Sequence, residues 1–164
     1  MYTSTAAVVG VGFIGPVHVE GLRRLGIRVK GVLDYSPEKS EEARAAMGLE
    51  KAYASLEEIL EDGEVDAVHL AVPNVLHHPM AKKCLAAGKH VMCEKPLGMD
   101  TTETEELKAL AAGSGLLAGV NYNLRYYPLN LEARQRIQSG ELGQIFSVVG
   151  AYVQDWLLYD TDYN

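Results

Sequence analysis

The sequence predicts an α/β fold built as a doubly wound parallel sheet. Short apolar runs alternate with longer segments that carry helix-capping residues at their starts and glycine near their ends. The apolar runs are nearly continuous rather than alternating, which is typical of strands covered by helices on both faces. Neither an internal repeat nor a low-complexity segment interrupts this order.

The apolar runs give the order of the strands. The first run, Ala6–Gly10, ends in glycine, and the second, Val29–Asp34, ends in an acidic residue. Further strands are expected at Ala67–Val72, His90–Cys93 and Leu116–Val120. Each run has a length typical of a strand and is bounded by glycine, proline or polar residues.

Capping residues and prolines set the boundaries of the first helices. One helix is expected to continue to about Leu25, with Pro16 in its first turn. Ser36 is the expected cap of the next helix, and Gly48 occupies the position after its end. Ser55 stands three residues before a glutamate and ahead of apolar residues, which is the spacing of a capping box.

The later helices follow the same logic. Pro79 must lie in the first turn of its helix, which is therefore expected to run from near His77 to Gly88. Asp100 is the expected cap of another helix, which ends at Gly113. These helices would connect the last three strands of a parallel sheet.

The last part of the chain departs from the alternation. A helix is expected from Pro128 to Ser139 and a strand from Gln144 to Val153, with no helix after that strand. We therefore divide the chain into a doubly wound domain at residues 1–123 and an incomplete second, α+β domain at residues 124–164. Only the first helix and strand of that second domain are expected here.

Composition excludes several classes of protein. The chain has 164 residues with 15 basic and 22 acidic side chains, which gives a formal net charge of −7 and a pI near 5.2. This balance, without a Lys/Arg run, argues against nucleic acid and anionic membranes as partners. No stretch reaches the roughly 20 apolar residues of a membrane span, and the uncharged N-terminal segment lacks the positive start of a signal peptide. Two cysteines, Cys84 and Cys93, predict reduced core thiols in a cytoplasmic protein.

The turn after the first strand has the sequence GVGFIG at residues 10–15. In the Rossmann pattern, Gly10 allows a tight turn, Gly12 lets a pyrophosphate approach the backbone, and Gly15 permits close packing of helix and strand. The N-terminus of the following helix offers free N–H groups to phosphates. Asp34, at the end of the second strand, would accept hydrogen bonds from the adenosine ribose and repel a 2′-phosphate, which favours NAD over NADP.

Other interpretations of these residues stay open. The glycines also suit a packing turn, and Asp34 alone also suits a turn. A methyltransferase that uses S-adenosylmethionine likewise places glycines after its first strand and an acid after its second. The spacing Tyr35-x-x-x-Lys39 is that of a short-chain dehydrogenase pair, but Pro37 lies between the two and opens a helix.

The sequence Glu94-Lys95-Pro96 follows the strand His90–Cys93 directly. In a doubly wound sheet this position lies at the carboxyl edge, where ligands bind. A lysine at this edge can polarise a substrate oxygen and stabilise a developing alkoxide. A solvated lysine in a proline turn explains the same residues. The histidines and cysteines show no metal-site spacing, so no metal is expected.

Four motifs occur together in the order and spacing of one family. They are the glycine motif with His18 three residues beyond it, Val72-Pro73-Asn74 with His77, Cys93-Glu94-Lys95-Pro96, and the run from Asn121 to Pro128. The chain resembles the N-terminal half of a glucose–fructose oxidoreductase, inositol dehydrogenase or MocA-type oxidoreductase. The resemblance covers the whole chain, and Glu-Lys-Pro in this context is its most specific motif.

The resemblance implies a role for individual residues. Lys95 would contact the reacting oxygen and is the implied catalytic residue. The implied cofactor-binding residues are Gly10, Gly12, Phe13, Ile14, Gly15, Asp34, Pro73, Asn74, His77, Glu94, Asn121 and Arg125. Among these, Phe13 and Ile14 would donate backbone N–H groups to the pyrophosphate, and Glu94 would lie beside the nicotinamide ribose. His18 and Arg125 also suit packing or a surface ion pair.

The resemblance also implies an activity. Members of the family transfer hydride between a nicotinamide cofactor and a secondary hydroxyl of a sugar or polyol. They have more than 300 residues, and their second domain supplies most of the substrate pocket and the sheet through which they form homo-oligomers. Because this chain lacks that domain, we expect it to bind NAD without turnover. The alternative is a non-catalytic protein that binds or senses NAD.

Overall fold

A computed structural model describes residues 4–153 and 158–159. The chain divides into two compact units, Met1–Tyr122 and Asn123–Asn164.

The first unit contains a sheet of six parallel strands. The strands are β1 (Thr5–Val9), β2 (Arg28–Leu33), β3 (Lys51–Ala52), β4 (Ala67–Leu70), β5 (His90–Cys93) and β6 (Ala118–Val120). Their order across the sheet is β3-β2-β1-β4-β5-β6. The chain winds outward from β1 in one direction and then from β4 in the other, which opens a crevice for ligands at the carboxyl ends of these two strands. The prediction of a doubly wound parallel sheet is confirmed.

Five helices connect the strands of this unit. They are α1 (Gly15–Arg24), α2 (Pro37–Ala46), α3 (Leu56–Glu61), α4 (His77–Ala86) and α5 (Thr101–Ser114). The predicted caps are present, because the side chains of Ser36, Ser55 and Asp100 each accept a hydrogen bond from the backbone N–H three residues later. These caps satisfy N–H groups that the helices themselves leave without partners.

The core forms two clusters of buried side chains. One includes Val8, Val19 and Val32, where α1 covers β1 and β2. The other is larger, and Val68 and Cys93 belong to it. Burial of side chains on both sides explains why the strands read as continuous apolar runs.

The structure differs from the predicted elements in detail. The two-residue strand β3 was not predicted, and β4 and β6 are shorter than the apolar runs that contain them. Helix α5 extends one residue past Gly113, and Gly115 follows it with a φ of 70°. Gly115 therefore takes the left-handed conformation that glycine adopts most readily after a helix.

The second unit contains a 3-10 turn at Asn123–Tyr126 and helix α6 (Pro128–Gln138). The predicted strand from Gln144 to Val153 is wrong, because residues 144–153 form neither strand nor helix. An extended segment becomes a strand only when a neighbour accepts and donates its backbone hydrogen bonds, and no segment of the described chain pairs with this one. Over the same described residues, no helix is long and apolar enough to cross a membrane.

Candidate cofactor-binding site

Residues singled out by the sequence follow directly after four strands of the sheet. Gly10 follows β1, Asp34 follows β2, Glu94 follows β5 and Asn121 follows β6. Backbone hydrogen bonds continue the sheet through three of these residues: Gly10 donates to Leu33, Glu94 to Leu70 and Asn121 to Cys93, at 2.8 to 2.9 Å. The sheet therefore brings these four residues to one edge.

The glycine turn leaves no room for a side chain at two of its positions. Gly10 has a φ of +87°, and a Cβ there would lie 2.3 Å from the carbonyl oxygen of Ala71. A Cβ at Gly15 would lie 2.0 Å from the carbonyl oxygen of Gly10. The close contact at Gly15 is thus made within the turn itself. Gly12 differs from both, because no atom lies within 4 Å of a Cβ built there.

Four consecutive backbone N–H groups at this turn are without a protein acceptor. These groups belong to residues 12–15, and none of them donates a hydrogen bond to any residue that the structure describes. Pro16, which comes next, has no N–H group. Helix α1 begins at Gly15, so its positive dipole end coincides with this row of free donors. Such an arrangement binds anions, and phosphates in particular.

Asp34 ties the glycine turn to the end of β2. Its Oδ2 accepts a hydrogen bond from the backbone N–H of Val11 at 2.6 Å, and its Oδ1 accepts one from the N–H of Tyr35 at 2.7 Å. The hydroxyl of Ser40 accepts a bond from the N–H of Asp34. Each carboxylate oxygen has two lone pairs, so Asp34 can accept further bonds from a ligand.

Glu94 is surrounded by hydrogen-bond donors. His18 Nε2 lies 3.1 Å from its Oε1, Asn121 Nδ2 donates to the same oxygen, and the N–H of Lys95 donates to Oε2 at 3.3 Å. Burial disfavours the charged form of Glu94, but the hydrogen bonds from Asn121 and His18 outweigh burial and lower its pKa. Glu94 is therefore a carboxylate at neutral pH.

His18 also contacts a second histidine. The Nδ1 atoms of His18 and His69 are 2.9 Å apart, and the two rings meet edge to face. Burial, together with the proximity of His18, lowers the pKa of His69 to about 4. His69 therefore stays neutral at physiological pH.

The loop after β4 contains three of the predicted residues. Pro73 and Asn74 are exposed, and Asn74 begins a 3-10 turn that leads into α4. His77 is fully buried, and its ring nitrogens face the backbone carbonyls of Val72 and Pro96. Its ring thus connects the loop after β4 with the turn that contains Lys95.

Lys95 differs from the other charged residues of this edge because its side chain is exposed and makes no ion pair or hydrogen bond with the described residues. Its ammonium group is therefore available to a ligand. Arg125 belongs to the second unit, so its contribution to a cofactor site stays a prediction.

Two other sequence interpretations concern the cysteines and the Tyr35-x-x-x-Lys39 spacing. Cys84 and Cys93 are both fully buried, and burial raises the pKa of each thiol to about 12, as expected for core thiols. Ser36, between Tyr35 and Lys39, caps α2, and Lys39 pairs with Glu42.

A family model described as an oxidoreductase family with an NAD-binding Rossmann fold, named for glucose–fructose oxidoreductase, inositol dehydrogenase and MocA, matches residues 5–122. The chain belongs to this family. The matched range coincides closely with the first unit, which ends at Tyr122. The resemblance inferred from the four motifs is confirmed. The prediction of an NAD-binding domain of the oxidoreductase type is confirmed as well.

Individual family members show how much of the protein this domain represents. Levoglucosan dehydrogenase of Pseudarthrobacter phenanthrenivorans is 29% identical over 165 residues, which cover 95% of this chain and 42% of that protein. The 1,5-anhydro-D-fructose reductase of Ensifer adhaerens is 32% identical and is matched over 77% of this chain and 38% of its own length. The crystal structure of an NAD-binding oxidoreductase from Klebsiella pneumoniae is 34% identical, with a TM-score of 0.81, over 86% of this chain and 40% of that one. The chain thus spans about 40% of the length of these relatives.

Two members of this edge were not predicted as functional from the sequence. For His69 the sequence raises only the question of a metal ligand, and for Ser40 it indicates no role. The sequence does contain a signal for His69, because this histidine lies inside the apolar run of β4. That strand pairs with β1, where the order of the strands in the sheet reverses. Ser40 lies inside a helix, and its bond to Asp34 is visible only once the turn is folded.

Proposed function

We propose that this chain is the NAD-binding domain of a dehydrogenase that transfers hydride between nicotinamide and a secondary hydroxyl of a sugar or polyol. The observation that carries the proposal is the row of four free N–H groups at residues 12–15, at the start of α1 and next to Asp34. A dinucleotide needs both features, since the first binds its pyrophosphate and the second its adenosine ribose.

The pyrophosphate would lie against Gly12 and accept hydrogen bonds from the N–H groups of Phe13 and Ile14. The open space at Gly12 supports this assignment, because a bound phosphate needs to approach the backbone where a Cβ would otherwise stand. Gly10 and Gly15 would hold the turn in shape, since a Cβ at either position would meet backbone atoms, and the free N–H of Gly15 would face the pyrophosphate.

The hydroxyl groups of the adenosine ribose would donate hydrogen bonds to the carboxylate of Asp34. A carboxylate at this position repels a 2′-phosphate, so we propose that NAD binds more tightly than NADP. The hydrogen bond from Val11 supports this role, because it holds the carboxylate next to the phosphate-binding turn.

The nicotinamide half would lie between the loop after β4 and the ends of β5 and β6. There Pro73, Asn74 and His77 would line the cofactor, and Glu94 and Asn121 would bind its ribose. Lys95 would donate a hydrogen bond to the substrate oxygen and stabilise the alkoxide that forms when the hydroxyl gives its proton to a base of the second domain; transfer of the hydride to the cofactor would then convert that alkoxide to a carbonyl. Bound NAD supplies the hydride acceptor, and the protein orients it.

The substrate class rests on the family. Levoglucosan dehydrogenase and 1,5-anhydro-D-fructose reductase, two relatives of this chain, carry sugar derivatives in their names. We propose a sugar or polyol for this protein as well, bound with the help of a second domain that residues 124–164 begin. Homo-oligomerisation through that domain, and a cytoplasmic location, belong to the same proposal.

Calorimetric titration of NAD into the chain tests the phosphate site. Gly12→Val would fill the space in front of the free N–H groups and should abolish binding, since its Cβ meets no protein atom and the fold is unaffected. Gly21→Val is the matched control, because Gly21 is exposed on α1 and is likewise free of neighbours within 4 Å. Unchanged affinity in Gly12→Val would contradict the assignment of the pyrophosphate to this turn.

A further inference from the structure

Four side chains form a continuous hydrogen-bonded row at the carboxyl edge of the sheet. His69 on β4 contacts His18 on α1, His18 contacts Glu94 after β5, and Asn121 after β6 donates to the same oxygen of Glu94. We call these residues the histidine–glutamate row. The Nδ1–Nδ1 distance is 2.9 Å and the Nε2–Oε1 distance is 3.1 Å. The row thus joins four parts of the fold that are distant in sequence.

The chemistry of Glu94 determines where the protons of the row are. A carboxylate only accepts hydrogen bonds, so the Nε2 atom of His18 must carry a proton. In neutral His18 the Nδ1 atom is then an acceptor, and His69 must donate its Nδ1–H to it. If His18 takes up a second proton, its own Nδ1–H donates to His69 instead. One proton between the two Nδ1 atoms is sufficient in both cases.

We propose that His69 is a positioning residue that acts through His18 to orient the Glu94 carboxylate toward the nicotinamide-side ribose of a bound dinucleotide. This inference rests on the proposed function, because it requires that a dinucleotide binds at this edge. The tautomer of a histidine is set by the hydrogen bond that its other nitrogen makes. His69 therefore reinforces the tautomer of His18 that Glu94 requires, because its Nδ1–H keeps the Nδ1 of His18 an acceptor.

Burial makes this reinforcement matter. The side chains of His18 and Glu94 are only 7% and 12% exposed, so water has little access to replace a lost donor. If the proton of His18 moved to Nδ1, the lone pair of Nε2 would face the carboxylate and repel it. Glu94 would then keep only the bonds from Asn121 and Lys95, and its side chain would lose one of its three anchors.

Amide side chains allow the two nitrogens of each histidine to be tested separately. The nitrogen of asparagine lies close to the position of a histidine Nδ1, and that of glutamine close to Nε2. His18→Gln therefore keeps a donor to Glu94 and loses the link to His69, whereas His18→Asn does the reverse. Likewise, His69→Asn keeps a group that can pair with His18, and His69→Leu removes it.

The experiment compares the affinities of the chain for NAD and for ADP by calorimetry. ADP contains the adenosine and diphosphate but lacks the second ribose, so it measures the glycine turn and Asp34 alone. We expect His69→Leu to weaken NAD about tenfold, the effect of one hydrogen bond to a charged group, with ADP unchanged. His69→Asn should restore most of the NAD affinity. Thermal unfolding midpoints show whether each variant is folded.

A second pair of variants gives an independent test. In a His18→Gln background, His69→Leu should have no effect on NAD binding, because an amide nitrogen carries its protons whatever its neighbour does. His18→Asn should bind NAD about as weakly as His69→Leu. If His69→Leu does not fold, the comparison of His18→Asn with His18→Gln still tests the proposal, because it changes only His18.

The outcomes separate the two proposals. If the unmodified chain binds neither NAD nor ADP, the proposed function itself fails. If it binds both but His69→Leu leaves the ratio of the two affinities unchanged, or His18→Asn binds NAD normally, the positioning role is overturned. Equal loss of NAD and ADP would also overturn it, because that pattern indicates general damage to the fold.

Discussion

The polar groups at the two edges of the parallel sheet differ in whether they have hydrogen-bond partners within the chain. At the amino edge, Lys30 pairs with Asp62 at 2.7 Å, Lys89 donates to the backbone carbonyls of Asp62 and Val65, and Asp66 accepts from the N–H of Thr5. At the carboxyl edge, four backbone N–H groups and the ammonium of Lys95 have no acceptor among the described residues.

The two edges of the same sheet therefore have different roles: the amino edge stabilises the fold, and the carboxyl edge is available to bind a ligand. Donors that are satisfied inside the chain hold the strands together and have little capacity left for a ligand. Donors without a partner contribute nothing to the fold but are ready for phosphate or substrate oxygens, and glycine keeps the space before them open. Changes at the carboxyl edge should therefore affect ligands first, and changes at the amino edge should affect stability first.

The largest expected effect is on turnover. In the full-length enzyme, Lys95→Met should reduce kcat by roughly 10²–10⁴-fold, because it removes a group that assists proton transfer and charge stabilisation at the substrate oxygen. Steady-state kinetics with a panel of sugars measures this. Affinity for NAD should change much less, and a variant that keeps its turnover but loses NAD would make Lys95 a cofactor ligand instead.

The comparison breaks down at Gly15, which lies at the binding edge but should affect stability. Gly15→Ala would place a methyl group 2.0 Å from the carbonyl oxygen of Gly10, so the turn must shift, at a cost of about 1–3 kcal/mol. Gly21→Ala is the control on the same helix, and we expect it to stabilise the chain by about 0.5–1 kcal/mol. Urea unfolding of both variants measures the difference, and equal midpoints would show that the turn tolerates a side chain.

Two substitutions of Asp34 separate the contribution of its charge to cofactor binding from that of its hydrogen bonds. Asp34→Ala should weaken NAD by about 1–3 kcal/mol and narrow the preference over NADP, because it removes charged hydrogen bonds to the ribose. Asp34→Asn keeps an oxygen that can accept from Val11 but loses the charge, so it should lose the cofactor preference while retaining more of the NAD affinity. Calorimetry with both cofactors distinguishes the two. Equal affinity of the unmodified chain for NAD and NADP would contradict the role of Asp34.

The smallest expected effect concerns the stability contributed by the amino edge and its dependence on pH. Hydrogen bonding from Lys30, opposed by burial and aided by Glu64 and Tyr53, lowers the pKa of Asp62 to about 2. Because this folded-state pKa lies below the unfolded value of about 3.9, the stabilisation is present above pH 4 and is lost as the pH falls toward 2. Asp62→Asn should unfold more easily in urea at pH 5 and show a smaller loss of stability between pH 4 and pH 2. An unchanged pH profile would show that Asp62 does not contribute to it.

The sequence predicted the parts of this molecule that depend on local patterns. Apolar runs identified five strands, and Ser36, Ser55 and Asp100 identified the starts of three helices, because a cap acts on residues three positions away. The two-residue strand β3 has no periodicity to detect. The strand predicted at residues 144–153 failed because an apolar run shows that a segment can pair, not that a partner is present.

The residues of the candidate site likewise divide into those that a local sequence pattern predicts and those that it does not. The glycine turn, Asp34 and Lys95 were found because their positions after strands place them at one edge. The pairing of His69 with His18 joins residues 51 positions apart in sequence and depends on how α1 packs on the sheet. No local pattern contains that information.

The two buried cysteines give the chain an internal reporter of its own motions. Cys84 lies on α4 and Cys93 at the end of β5, beside Glu94, and both thiols are inaccessible with pKa values near 12. An alkylating reagent reacts with the thiolate, so labelling requires the layer between α4 and β5 to open first. The labelling rate therefore measures how often this layer opens, and a ligand that binds across the ends of the strands would slow that rate without any added probe.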